Sequence, residues 1–228
     1  MNKEKLKIGI LDDDESKVTQ IMCKLDEGFI NAEPGKVNKY SKFELMPFEL
    51  TVEENIEDVT KKIIELNLDC VLVDYKLSSY ETVDYTGVEV VKHLLEVLFD
   101  FPVFILTSHE DDLFNKEIFN AYQVFDFARY IGEKNERIEL NSKIIEQILK
   151  YRNQQDAWKK EIKKLIPVAG RSSEIDERIF ELDSYLERSI DGHSRIPDKI
   201  KRELSNDKMS QLLFKLDELI DSEKRNNE

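Results

Sequence analysis

Four short runs carry the groups in this chain that could do chemistry. Asp12, Asp13 and Asp14 follow the mostly apolar run Leu6-Lys7-Ile8-Gly9-Ile10-Leu11. Asp74 closes Cys70-Val71-Leu72-Val73, Thr107 and Ser108 close an apolar stretch at 101–106, and Lys134 comes shortly after a strand-like stretch at 124–131. Carboxylates crowded together repel, and their ionised forms persist side by side only with a cation between them. Mg²⁺ suits such a group, because it takes hard oxygen ligands, keeps waters and bridges carboxylates to phosphate. Plainer readings exist for each residue. The three aspartates could be the acidic first turn of a helix, Asp74 a turn residue, and Thr107 an ordinary cap.

The choice depends on whether the fold brings these runs to one place. Residues 15–27 read as a helix with Val18, Ile21, Met22 and Leu25 on one face, ended by Gly28. The stretch 31–42, with Pro34 and Gly35, reads as a loop. Residues 43–50 have strand character, and Pro47 makes them an edge strand or a bulged one. Thr51 and Glu54 form a capping-box pattern before a helix carrying Ile56, Val59, Ile63 and Leu66. Gly87 opens another helix with Val88, Val91, Leu94, Leu95 and Leu98 inward, and a further helix is expected over 111–122. Continuous apolar strands alternating with amphipathic helices imply a parallel sheet covered on both faces. In such a sheet, ligands bind beyond the carboxyl ends of the strands, where the strand order reverses. All four runs are expected at that edge.

From about residue 136 the pattern is helical only. Ile144, Ile148, Tyr151, Gln155, Trp158, Ile162 and Leu165 recur at alternating steps of four and three, a heptad seam ended by Pro167 and Gly170. A second helix, capped by Ser173 and Asp176, carries Ile175, Ile179, Leu182, Leu186 and Ile190. A third, after the loop at 192–197, carries Leu204, Met209, Leu212, Leu213, Leu216, Leu219 and Ile220. The seam suits either a coiled-coil homodimer with Gln155 setting the register or a three-helix bundle, and apolar faces this wide favour the bundle. The chain thus divides into an α/β domain at 1–150 and a helical module at 151–228, with one helix from about 138 crossing the boundary.

Charge divides the chain in the same way. Residues 1–138 hold 16 Lys and Arg against 29 Asp and Glu, while residues 139–228 hold 18 against 19. An acidic first part repels phosphate backbones and the second is close to neutral, so nucleic acid is not an expected partner. The run Lys159, Lys160, Lys163 and Lys164 reads as a solvated face. Two cysteines, Cys23 and Cys70, are too few for a disulfide framework and read as core residues. His93 reads as boundary packing, His109 stands next to Ser108, and His193 lies in a polar loop. No apolar run approaches the roughly 18 residues of a membrane span, and no signal-peptide hydrophobic region opens the chain, so a cytoplasmic protein is expected.

The runs I-L-D-D-D, V-L-V-D-Y-K-L and F-I-L-T-S, in that order at successive strand ends, resemble those of response-regulator receiver domains of two-component signalling. The resemblance covers about residues 5–150. It implies a flavodoxin-like, doubly wound, five-stranded parallel sheet, followed here by an atypical all-α output module. It further implies that Asp74 accepts a phosphoryl group from a histidine kinase or phosphotransfer protein. Asp12, Asp13, Asp74 and the backbone carbonyl of Lys76 would hold Mg²⁺, Thr107 would bond a phosphoryl oxygen, and Tyr130 on the fifth strand would be the aromatic that moves with it. Such a chain phosphorylates and dephosphorylates only itself, and is not an enzyme in its own right.

The chain departs from that pattern in three places. Receiver domains carry Lys-Pro after the fifth strand, whereas here Glu133 takes the aligned slot and Lys134-Asn135 follows it. The loop from Asp74 to Gly87 is longer than usual, and so is the span from Asp13 to Asp74, with the excess near 28–50. The principal expectation is phosphorylation-dependent regulation through a protein output partner. The alternatives are a phosphorylation-independent pseudo-receiver scaffold and, behind it, a DNA-binding regulator.

Overall fold

Along the strands, side chains alternate between two hydrophobic cores. Leu6, Ile8, Ile10, Leu72, Phe104 and Leu106 enter one, while Leu11, Val71, Val73, Val103 and Ile105 enter the other. A sheet that is apolar on both faces must be covered on both, which requires helical crossovers between parallel strands. The computed structural model, which describes residues 3–78, 83–108 and 123–190, has this architecture. Strands β1 (Glu4–Leu11), β2 (Phe43–Leu50), β3 (Cys70–Val73), β4 (Val103–Thr107) and β5 (Val124–Asp126) form one parallel sheet in the order β2-β1-β3-β4-β5. That order is the flavodoxin-like, doubly wound arrangement. Pro47 lies in β2, the edge strand, in register with Ile8.

Helix α1 (Glu15–Glu27) packs on the first core through Val18, Ile21 and Leu25. On the other face, α3 (Ile56–Glu65) contributes Val59 and Ile63, and α4 (Gly87–Val97) contributes Val90, Val91 and Leu94. Thr86 and Glu89 cap α4 reciprocally, a full capping box. The expected loop at 31–42 contains instead a helix, α2 (Pro34–Tyr40). Pro34 stands in its first turn, where proline starts a helix rather than breaking one, and Tyr40 stacks on Phe29 with ring centroids 4.7 Å apart. Thr51 does not cap α3: the helix begins one turn later, after Asn55. Glu53 pairs with Lys62 and its carbonyl accepts from the Tyr85 hydroxyl, so residues 51–55 serve as a connection to α4.

The fifth strand is shorter than expected. It stops at Asp126, and residues Phe127–Gly132 form a helix, α5, capped by Asp126 Oδ1 accepting from Arg129 N at 2.6 Å. Helix α6 (Lys134–Leu165) follows after one residue. Its first half completes the first core with Leu140, Ile144, Ile145 and Ile148. The opening positions of the heptad seam therefore belong to the α/β domain.

The second half of α6 packs against α7 (Ser173–Ile190) as an intramolecular hairpin turned at Pro167 and Gly170. Ser172, one residue ahead of the expected Ser173, accepts from Ile175 N at α7's start, and Asp176 Oδ1 accepts from Gly170 N at 2.7 Å. Trp158 and Tyr185 meet Phe99, which follows α4, with centroids 5.8 and 5.0 Å from its ring. Phe99 N donates to the Arg188 carbonyl at 3.1 Å, and Arg188 Nη2 donates to the Glu96 carbonyl at 3.0 Å. The hairpin thus rests on the C-terminal end of α4. The expected helix at 111–122 and the third C-terminal helix lie outside the described residues, as do His109 and His193.

Gly87 joins α4 to the end of β3. A Cβ there would stand 1.8 Å from the Asp74 carbonyl oxygen and 2.8 Å from Val73 Cγ1, and Gly87 N donates to the Tyr75 carbonyl at 2.9 Å. Gly87→Ala must push α4 off the sheet and should cost about 1–3 kcal/mol by overpacking. Gly35→Ala, with nothing within 4 Å of the added methyl, should instead gain up to ~1 kcal/mol of helix stability. Urea unfolding midpoints of the two variants against the parent chain check both signs.

Candidate metal centre

The strand order turns at β1 and β3: β2 lies to one side of β1 and β4 to the other side of β3. The helices that follow β1 and β3 leave to opposite faces, so among the described residues no helix crosses the crevice between the two strand ends. Asp74 N donates to the Leu11 carbonyl at 2.8 Å and ties the two ends together. One carboxylate oxygen from each of Asp12, Asp13 and Asp74 falls within 4.8 Å of the others. Asp12 is 6 % exposed and Asp74 3 %. Asp14, by contrast, is a cap: its Oδ1 accepts from Ser16 N at 2.9 Å and Lys17 N at 3.3 Å. The helix-start reading thus holds for Asp14, while Asp12 and Asp13 turn inward to Asp74.

Such a cluster should be unstable as it stands, and its electrostatics show why. Burial, reinforced by the charge of Asp74, pushes the Asp12 carboxyl up from 3.8 to about 7, against the amide of Asp14 that favours its ionised form. Asp12 Oδ2 and Asp74 Oδ1 are buried and receive no hydrogen bond. Buried oxygens without donors call for a cation. Three hard oxygen donors at this spacing suit a hard metal cation, and the carbonyl of Lys76, two residues past Asp74, belongs to the same strand-end loop.

One cation already faces the cluster, and the sequence reading overlooked it. Lys17 Nζ donates to Asp74 Oδ2 at 3.2 Å and lies 3.8 Å from Asp12 Oδ2. Burial works against the ammonium, but Asp74 and Asp12 outweigh it and its pKa stands above the ordinary lysine value. A signal was available in the sequence. Lysine in the first turn of a helix opposes the helix dipole, which is reasonable only if carboxylates lie within its reach.

The other expected residues separate. Thr107 ends β4, fully buried; Val73 pairs with Ile105, which leaves Thr107 at the same sheet edge as Asp74. Tyr130 is not on the fifth strand: the residue in register with Thr107 is Asp126, and Tyr130 lies in α5. Its hydroxyl donates to Asn141 Oδ1 at 3.1 Å, and Asn141 Nδ2 donates to the Gly28 carbonyl at 3.1 Å. Because the strand ends early, Lys134 becomes the exposed first residue of α6, and Glu133 sits on the surface 3.5 Å from Arg129. Cys70 is buried, and burial raises its thiol pKa; Cys23 is exposed on the face of α1 opposite Ile21 and Leu25, not in the core. His93 is half-buried on α4.

A pH dependence follows from Asp12. Its folded pKa exceeds its unfolded one, so between pH 3.8 and about 7 the folded chain holds a proton that the unfolded chain has released. In chelator-treated protein this group makes stability fall as pH rises through that window. Asp12→Asn keeps the acceptor for Asp14 N and should flatten the slope in thermal unfolding followed across the same range.

The chain has the fold that its resemblance to receiver domains implies. Neither a family model nor a curated protein matches it. Among solved structures, it is similar to a two component transcriptional regulator AraC from Clostridium phytofermentans ISDg, at 14 % identity and a TM-score of 0.43, over 64 % of this chain and 96 % of that one. It is also similar to the anti-anti-sigma factor PhyR from Bartonella quintana (12 % identity, TM-score 0.38, 66 % of this chain and 50 % of that one). The response regulator PhyR from Brucella abortus gives 15 % identity and a TM-score of 0.37 over 67 % and 51 %. The chain spans about half the length of these two PhyR structures.

Proposed function

We propose that the chain is a signalling regulator whose Asp74 accepts a phosphoryl group from the phosphohistidine of a sensor kinase or phosphotransfer protein. The observation that carries this reading is the meeting of Asp12, Asp13 and Asp74 within 4.8 Å at the switch point, where Asp12 Oδ2 and Asp74 Oδ1 are buried and receive no hydrogen bond. An Asp74 oxygen forms the new bond to phosphorus while the P–N bond to the donor imidazole breaks, and the imidazole nitrogen keeps the electron pair and takes up a proton. Asp12, Asp13 and the Lys76 carbonyl would hold Mg²⁺ beside Asp74, where the ion supplies charge neutralisation for the transferring group. Thr107, at the same edge, would donate its hydroxyl to a phosphoryl oxygen. Water later cleaves the acyl phosphate, so the chain turns over only its own modification.

The response leaves through protein contact. The α6–α7 hairpin offers the surface for an output partner. Among the described residues no helix is long and apolar enough to cross a membrane.

Intact mass after incubation with Mg²⁺ and acetyl phosphate tests the reading. One added phosphoryl group is expected, dependent on Mg²⁺ and lost in Asp74→Ala. Absence of the adduct together with absence of Mg²⁺ binding would overturn it in favour of a phosphorylation-independent scaffold.

A further inference from the structure

The cluster of three carboxylates has an asymmetric partner. Among the described residues, Lys17 supplies the only ammonium or guanidinium within 4 Å of Asp12 or Asp74, and it reaches both. It engages one oxygen of Asp74 only. Oδ2 accepts from Lys17 Nζ at 3.2 Å, whereas Oδ1 receives no hydrogen bond. The two oxygens of one carboxylate therefore stand in different fields, one beside an ammonium and one left to a metal cation.

Lys17 is also held in place. Its backbone N–H is fixed by Asp14 Oδ1, and its ammonium lies 5.7 Å from the centre of the Phe127 ring. Phe127 starts the helix that ends β5 early, so the same local change that carries Lys134 to the surface places an aromatic face beside Lys17. Three carboxylates and one ammonium leave two negative charges, the complement of one divalent cation.

We propose that Lys17, from the first turn of α1, is the phosphoryl-binding cation of this site, paired with Asp74 Oδ2 at rest and with a phosphoryl oxygen after transfer. This rests on the reading of Asp74 as acceptor. Once Oδ2 carries phosphorus it becomes an ester-type oxygen with little negative charge, while the charge moves to the nonbridging phosphoryl oxygens. The ammonium follows that charge over a short distance. A cation that strengthens its contacts as charge shifts to the phosphoryl group favours the transition state over the resting state.

The test uses the full chain with two probes, Mg²⁺ alone and beryllofluoride with Mg²⁺, in the parent, Lys17→Met, Lys17→Arg and Lys134→Ala. Lys17→Met should weaken beryllofluoride binding and slow acetyl-phosphate labelling by about 100-fold. It should bind Mg²⁺ alone about tenfold more tightly, because a competing positive charge is gone. These opposite shifts distinguish a phosphoryl ligand from a structural residue, and the tight Mg²⁺ binding reports that the variant is folded. Lys17→Arg should recover part of the beryllofluoride affinity. Unchanged labelling in Lys17→Met, or loss in Lys134→Ala instead, overturns the role of Lys17 while leaving Asp74 as acceptor. A parent chain that binds Mg²⁺ but takes neither phosphoryl nor beryllofluoride overturns the acceptor reading itself.

Discussion

Like charges held in a half-dry crevice are the constraint around which the first 108 residues are arranged. Parallel strands end at one edge, and an order that reverses at β1 and β3 opens a crevice between the ends of those two strands. Whatever residues stand there face each other, and in this chain they are aspartates. Lys17 and the amide of Asp14 offset part of the repulsion at Asp12 and Asp74, and two of their buried oxygens still receive no hydrogen bond. The fold tolerates this because the surrounding strands are buried on both faces and cannot shift to separate the charges.

The same edge is tied to the helical part of the chain through α4. One end of that helix touches the Asp74 backbone so closely that no side chain fits at Gly87, and the other end holds the hairpin through Glu96, Phe99, Arg188 and Tyr185. The contact at the hairpin end mixes stacked rings with two backbone-directed hydrogen bonds, which fixes orientation as well as area. The first half of α6 closes the opposite core, so the helical part grips the sheet from both faces.

The architecture was legible in the sequence because continuous apolar runs and period-3.6 faces are signals of local geometry. Strands β1, β3 and β4 and helices α1 and α4 followed from them, and of the edge or bulge that Pro47 allowed for β2 the fold takes the edge. The carboxylates were legible for the same reason, since each ends a recognisable strand. What the sequence concealed were changes of element type decided by tertiary context. The stretch Val-Phe-Asp-Phe-Ala-Arg-Tyr has enough aromatic and β-branched character for a long strand, yet Asp126 caps a helix halfway through, which moved Tyr130 and Lys134 away from their expected places. Pro34 read as a breaker because proline both ends and begins helices. Lys17 went unnoticed because a lysine in a first turn signals only that carboxylates lie within reach, while the partner it meets, Asp74, stands 57 residues away.

Helix α6 spends its length in two different cores, with Ile144 and Ile148 under the sheet and Trp158 against Phe99. Successive residues of a helix are turned by about 100°. The two faces are therefore locked in phase by the number of residues between them. A one-residue insertion after Arg152 would swing Trp158 about a quarter-turn off its aromatic partners, while a seven-residue insertion would return it to nearly the same azimuth, about 10 Å further along the axis. Chain length between the two cores is thus as strictly constrained as the identity of the residues that fill them.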